Sequence, residues 1–154
     1  METKAHILNQ EDSKAFILAG KAIFTALSEK TGTRFTYKVV KAKENHSTSK
    51  EVYFCSVLTG SDNEADYKFF GSIIKNKSIN SLNFKWSTKS KGISPIAPSV
   101  LAFDFIINKL IVQNKTNNNL HIYHEGRCGR CGRLLTVPES IENGIGPECI
   151  KHLN

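Results

Sequence analysis

The fold of the C-terminal part is decided by residues 126–152, which read GRCGRCGRLLTVPESIENGIGPECIKH. The stretch contains a C-x2-C pair, Cys128 and Cys131, then seventeen residues, then a C-x2-H pair, Cys149 and His152. Two ligands separated by two residues can reach one ion from a tight turn or from the first turn of a helix, and two such pairs are typical of tetrahedral zinc. The sequence therefore predicts one structural Zn²⁺ ion bound by these four side chains.

Local signals around the ligands predict a treble-clef-like module. Gly129 and Gly132 supply the turn flexibility that a zinc knuckle uses. Pro147 suits the opening turn of a short helix, which would present Cys149 and His152 at positions i and i+3 of one face. A knuckle, a short hairpin and a helix with the second ligand pair together form such a module.

The fourth ligand has an alternative, because His124 lies just before the first cysteine pair. We expect His152 instead, since it completes the paired spacing. Three thiolates and an imidazole would close the coordination shell, whereas catalytic zinc keeps a position open for water. The chain also lacks phosphate-binding loops, nucleophile elbows and the His-x-Glu with Pro-Cys-x-x-Cys signature of zinc deaminases. We therefore predict a protein that is not an enzyme and has no catalytic residues.

Residues 126–150 resemble the C-terminal segment of small, uncharacterised bacteriophage and bacterial proteins, which carry the pattern CGRCGRxLTxPESIxxGIGPEC. Two upstream stretches, AGKAIFTALSEKTGTRFTYKV at 19–39 and LTGSDNEADYKFFG at 58–71, look like a domain of phage and plasmid accessory proteins. The resemblance implies a mobile-element origin and a zinc domain without catalytic activity.

The composition is that of one folded domain with a small addition. The chain has 154 residues, of which 40% are hydrophobic and 23% charged, values that argue against long disorder. No apolar run approaches the roughly 18 residues of a membrane helix, and the N-terminus lacks a signal-peptide core. We expect a cytoplasmic protein that does not bind membranes. Cys55 stands in an apolar run, so it is predicted to be a buried, unreactive thiol.

Hydrophobic periodicity predicts an α+β fold, an antiparallel β-meander packed with one or two helices. Alternating runs indicate five strands, and each connection is too short for a parallel crossover. The strands are expected at 22–28, 33–43, 51–59, 67–74 and 82–86, and the helices at 11–20 and from about 97 to 112. An asparagine-rich stretch follows the second helix. The predicted domains are therefore a basic sheet domain at 1–113, a polar linker at 114–124 and the zinc module at 125–154.

The net charge of +7 comes from the first part of the chain. Residues 1–119 hold 17 Lys or Arg and 10 Asp or Glu, whereas 120–154 hold four of each. The stretch Tyr67–Phe103 contains six lysines and no acid, which favours an acidic partner such as nucleic acid. The candidate contact residues in it are Lys68, Lys75, Lys77, Lys85, Lys89 and Lys91.

Two groups of side chains allow more than one interpretation. Arg127, Arg130 and Arg133 flank the knuckle at three-residue intervals, and they either grip phosphates or carboxylates or merely offset the charge of the thiolates. Aromatic residues between the lysines, such as Phe69 and Phe84, are what a single-stranded nucleic acid stacks on, but alternation assigns most of them to the core.

These observations favour a zinc-stabilised accessory protein that binds nucleic acid. The alternative is a protein-interaction module, such as a phage-encoded inhibitor or modulator of a host machine or defence system. No motif indicates a small-molecule substrate.

Overall fold

The computed structural model describes residues 6–43, 49–61, 65–115 and 119–152. Its seven strands form one antiparallel sheet in the order β1-β7-β2-β3-β4-β5-β6. The strands are β1 His6–Leu8, β2 Lys21–Ser28, β3 Arg34–Lys41, β4 Lys50–Leu58, β5 Tyr67–Asn76, β6 Ser81–Trp86 and β7 Leu120–His124. The helices are α1 Gln10–Ile17, α2 Pro98–Phe105, α3 Pro138–Asn143 and α4 Pro147–Ile150, and a π-helical segment Ile106–Val112 continues α2. The predicted α+β class is confirmed. Within the described ranges, no helix is long and apolar enough to cross a membrane.

Strand β7 corrects the predicted linker. Residues 114–124 were expected to be a polar connection, but Leu120–His124 is a strand that pairs with two others. Ile122 lies opposite Leu8 of β1 and Ala26 of β2, and it is buried. The strand was hidden from sequence analysis because it is short and mixes histidines with apolar residues, and β1 was missed because it has three residues.

The chain divides into two compact units whose boundaries differ from the predicted ones. One unit contains residues 1–37 and 117–154, and the other contains residues 38–116. The cysteine-rich segment thus shares its unit with the N-terminal strands and helix. The physical reason is the pairing of β7 with β1 and β2, which makes the C-terminal segment part of the sheet.

In the first unit, α1 and β2 supply the apolar side chains that the C-terminal segment packs on. The Asn9 side chain caps α1 by accepting from the Asp12 N–H at 2.8 Å, so the cap lies earlier than the predicted start at residue 11. Phe16 and Ile17 at the end of α1 are fully buried. Alternate residues of β2 are also buried, as expected for a strand with one face in a core.

In the second unit, α2 and its π-helical continuation cover one face of the sheet. Phe103 of α2 meets Phe70 and Phe84 edge to face, with ring centroids 5.2 and 5.0 Å apart. Such aromatic pairs add to the stabilisation from buried area. Cys55 of β4 is fully buried in this unit, and burial raises the pKa of its thiol, in agreement with the predicted unreactive cysteine.

A β-bulge in β5 changes which aromatic side chains reach that core. Cys55 pairs with Gly71, but the next residue, Ser56, pairs with Phe69, so that Phe70 is an additional residue in β5. One extra residue reverses the alternation of the strand beyond it. Phe70 is therefore in the core, whereas Phe69 and Tyr67 lie on the opposite face. Uninterrupted alternation would place both side chains on the core face, and the bulge reverses this.

Candidate metal centre

The first cysteine pair lies in a turn closed by an isolated antiparallel bridge between Arg127 and Leu134. The Cys128 N–H donates to the Arg133 carbonyl at 2.8 Å, and the Gly132 N–H donates to the Cys128 carbonyl at 2.9 Å. Gly132 has a φ of +80°, which residues with a Cβ rarely adopt. These bonds fix the backbone of the turn and orient the two thiols of the pair to the same side.

The third cysteine arrives on α4. Pro147 occupies the first turn of this helix, as predicted, and Cys149 is buried. The sulfurs of Cys128, Cys131 and Cys149 all lie within 4.8 Å of one another. A tetrahedral zinc ion with Zn–S distances of about 2.3 Å would hold its sulfurs roughly 3.8 Å apart. The three cysteines could therefore hold a metal ion with only small movements.

Backbone and side-chain donors point at the sulfurs. The N–H groups of Gly146 and Arg130 donate to Cys128 Sγ at 3.3 and 3.4 Å. Burial alone would raise the pKa of the Cys128 thiol, but these donors, together with the N–H and the thiol of Cys131, outweigh it and hold that pKa below its usual value. The Cys149 pKa is raised by burial and by the neighbouring thiols, against a guanidinium bond from Arg130 at 3.6 Å. The knuckle thus favours a thiolate at Cys128, the form that binds metals.

His152 lies outside the cluster of the three sulfurs. It follows α4 by two residues, is exposed, and donates its backbone N–H to the Cys149 carbonyl at 2.9 Å. A cavity of about 410 Å³ is lined by His152 together with all three cysteines. The structure therefore places the predicted fourth ligand at the rim of the cavity that contains the thiols.

His124, the alternative fourth ligand, has other partners. Its Nδ1 accepts from the Gly126 N–H at 2.9 Å, so its Nε2 carries the proton and donates to the Ile141 carbonyl at 2.6 Å. The ring is buried and stacks on His6, with centroids 4.8 Å apart. Burial lowers the His124 pKa, and His6 adds to the effect, although the bond to Ile141 opposes it. Both ring nitrogens bond to backbone groups, so that His124 ties β7 to α3.

The knuckle rests directly on α1. A Cβ at Gly129 would lie 2.6 Å from the Phe16 ring, and one at Gly144 would meet the same ring at 2.6 Å. The Lys21 N–H of β2 donates to the Gly129 carbonyl at 2.6 Å. Phe16 therefore packs against backbone on two sides, an arrangement that only glycine permits. The sequence predicted only turn flexibility for Gly129. It did not predict this close packing, because a contact with a distant ring produces no periodic pattern in the sequence.

The three arginines beside the knuckle are exposed, and two of them bond to the module itself. Arg127 Nη1 donates to the Gly132 carbonyl at 3.3 Å, and Arg130 Nη1 points to Cys149 Sγ. Arg130 and Arg133 both line the cavity next to the cysteines. The bonds of Arg127 and Arg130 favour the interpretation in which they support the cysteine site. Contact with a partner stays a prediction.

The six candidate lysines do not form one patch. Lys85 lies on the sheet face away from α2. Lys75 and Lys77 interact electrostatically with Glu51. Burial raises the pKa of the Glu51 carboxyl, but the hydrogen bond and charge of Lys41 and the charges of Lys75 and Lys77 lower this pKa overall. The other three are exposed on β5 and in the segment after β6, and they are Lys68, Lys89 and Lys91.

Lys38 was not predicted as a contact residue, although alternation along its strand indicates an outward-facing side chain. Its ammonium lies 5.3 Å from the centroid of the Tyr67 ring. Lys38 stands between Tyr37 and Val39, which are both fully buried. Alternation therefore assigns Lys38 to the face of β3 opposite the core, and it could have been named from the sequence.

Residues 119–154 match a family of unknown function, DUF6011. The matched stretch, about a quarter of the chain, begins at β7 and includes the cysteine cluster and His152. It confirms the resemblance of this stretch to an uncharacterised family, whereas the phage origin stays a prediction. No curated protein and no solved structure matches the chain.

Proposed function

We propose that this protein is a non-enzymatic, zinc-stabilised nucleic-acid-binding protein. One structural Zn²⁺ ion is bound by Cys128, Cys131, Cys149 and His152 in a treble-clef-like module. The basic side chains of the other unit contact the phosphates. A phage or other mobile element is its proposed origin, and the host cytoplasm its proposed location.

The donor set supports zinc as the metal. Thiolates with an imidazole are the ligands of structural zinc sites, and three sulfurs are already gathered from a knuckle and a helix. His152 is the imidazole that shares a cavity with all three, whereas the His124 ring nitrogens bond to backbone groups. A shell filled by four protein ligands has no position for a reacting water, which supports a structural role.

The observation that carries nucleic-acid binding is the exposure of the basic stretch Tyr67–Phe103. Five of its six lysines are exposed, and the stretch contains no carboxylate to pair with them. Phosphates of a nucleic acid release counterions when such lysines neutralise them, so that the affinity depends steeply on salt. A lysine-rich stretch that served only to keep the protein soluble would not need to lack acidic residues over 37 positions.

Binding is tested by fluorescence anisotropy with labelled single-stranded DNA, single-stranded RNA and duplex DNA in a series from low to physiological salt. We expect the affinity to fall steeply with salt. The double variant Lys89→Glu/Lys91→Glu should weaken binding by about tenfold or more at low salt and reduce the salt dependence.

The matched control is Lys30→Glu/Lys151→Glu, which changes the net charge by the same amount at exposed sites of the other unit. It should bind nearly as well as the unaltered protein. Equal losses in both variants would mean a nonspecific effect of net charge. Protein without salt-sensitive binding to any of the three probes would refute the proposal, and a stoichiometric host protein recovered after nuclease treatment would favour the interaction-module alternative.

A further inference from the structure

The face of β4, β5 and β6 that points away from α2 carries aromatic side chains that the fold does not need for its core. The bulge at Phe70 turns Phe69 and Tyr67 onto this face. Phe54 of β4 lies on it as well, with 46% of its surface exposed. Bulges are common where a strand must re-aim a side chain for function. This surface is the outer face of the sheet.

The register of the strands fixes how the outer face is arranged. Lys85 lies opposite Ser72, and Ser72 lies opposite Phe54, so that these three side chains form a row across the strands. The Phe54 and Phe69 rings meet edge to face at 6.2 Å. Tyr67 follows along the same strand. The outer face thus presents adjacent rings with a lysine in the row beside them.

Lysines accompany the rings. Lys38 extends over the Tyr67 ring at 5.3 Å, and Lys85 stands at the other side of the aromatic pair. The described strand positions that share this face, within 38–40, 50–58, 67–76 and 81–85, include no acidic residue. Glu51 of β4 alternates to the other face, where it forms an ion pair with Lys41.

We propose that the outer face binds single-stranded nucleic acid, whose bases stack on Phe54, Phe69 and Tyr67 and whose phosphates contact Lys38 and Lys85. This inference rests on the proposed function and assigns its site and ligand class. An exposed Phe54 ring with the half-buried rings of Phe69 and Tyr67, beside lysines and on described strand positions that carry no carboxylate, matches the stacked bases and charged backbone of a single strand. A duplex keeps its bases stacked on one another, so it offers these rings no partner.

Stacking and charge contacts respond differently to salt, which gives the test. The double variant Phe54→Leu/Phe69→Leu keeps apolar side chains but removes both rings. Binding to a labelled oligothymidylate and an oligouridylate is measured by anisotropy in the same salt series. We expect a loss of about tenfold or more at every salt concentration, with the salt slope unchanged, because base stacking on one ring is worth roughly 1–3 kcal/mol. Lys85→Gln should instead make the slope about one unit shallower.

The matched control is Phe105→Leu, which removes an aromatic ring of similar exposure from α2. It should bind as the unaltered protein does. Thermal unfolding shows whether each variant is folded, and photo-crosslinking of the unaltered protein to bromouridine-substituted RNA gives a result that needs no variant. Crosslinks to Phe54, Tyr67 or Phe69 are expected.

The outcomes separate this inference from the proposed function. Unchanged affinity in the phenylalanine variant, or crosslinks confined to other segments, would overturn the outer face as the site while nucleic-acid binding stands. A protein that binds no nucleic acid at all fails both proposals. Self-association that disappears in the phenylalanine variant, with unchanged nucleic-acid affinity, would show that the face is covered by a second copy and would also overturn the inference.

Discussion

At the scale of single residues, the spacing of the ligands along the chain predicts part of the cysteine site. The positions of Cys128, Cys131 and Cys149 were predictable because the distance between metal ligands along the chain is restricted by the turn or helix that carries them. Ligand spacing alone did not decide between His124 and His152. The argument against His124 depends on its hydrogen bonds with the Gly126 N–H and the Ile141 carbonyl, which only the structure reveals.

Buried His124 should make stability depend on pH. Its unfolded-state pKa is about 6.5, and its folded-state pKa is lower, so the unfolded chain binds more protons. The stabilisation is fully present above about pH 6.5 and is lost as the pH falls through the folded pKa. We expect the unfolding midpoint to fall between pH 7.5 and pH 5 in urea titrations with constant excess zinc.

The variant His124→Gln serves as the comparison, because it changes only this side chain and is measured under the same conditions. It should be less stable at pH 7.5 by about 2 kcal/mol, since buried partners lose a hydrogen bond. Its stability should decline less steeply in acid. Identical pH dependence in the two proteins would contradict the role given to His124.

At the scale of elements, periodicity located five strands within two residues of their ends, because each has one buried face. It did not locate the bulge in β5, since an extra residue changes the phase of a strand without changing its composition. It also missed α3, whose sequence PESIEN is polar and whose position depends on the bond from His124 to Ile141. Elements defined by tertiary contacts therefore escaped prediction.

Gly71, next to the bulge in β5, should not tolerate replacement by a residue with a side chain. A Cβ there would collide with the Lys85 carbonyl oxygen of β6 and lie 2.8 Å from the Phe84 ring. The variant Gly71→Ala must separate β5 from β6 or displace a core ring, so we expect a loss of about 2–4 kcal/mol in the free energy of unfolding. Urea denaturation measures it.

The adjacent variant Ser72→Ala is the control for that experiment, because its side chain lies on the outer face and already has a Cβ. It should change stability by less than about 0.5 kcal/mol. A Gly71→Ala protein as stable as the Ser72→Ala protein would mean that the strands approach one another less closely than described.

At the scale of the whole molecule, the two units are expected to respond differently to metal removal. The knuckle packs on Phe16 of α1 and bonds to Lys21 of β2, and these contacts lie within the unit of residues 1–37 and 117–154. Structural zinc contributes folding free energy to the segment that binds it. Loss of the ion should therefore loosen this unit beyond the cysteine-rich segment itself.

Hydrogen exchange with and without a strong chelator measures this. We expect peptides from α1 and β2 to lose protection together with residues 126–150, while peptides from β4 and β5 keep theirs. The variant Cys128→Ser should reproduce the pattern without a chelator, whereas Cys55→Ser, which changes a cysteine outside the site, should not. Loss of protection confined to residues 126–150 would show that the packing on α1 does not depend on the metal.

The most direct test of the account is X-ray absorption at the zinc edge, on protein whose metal content has been measured. The account predicts one zinc per chain with three sulfur neighbours at about 2.3 Å and one nitrogen at about 2.0 Å, the nitrogen being replaced by oxygen in His152→Ala. Protein that binds no zinc, or a spectrum with two or fewer sulfur neighbours, would contradict it.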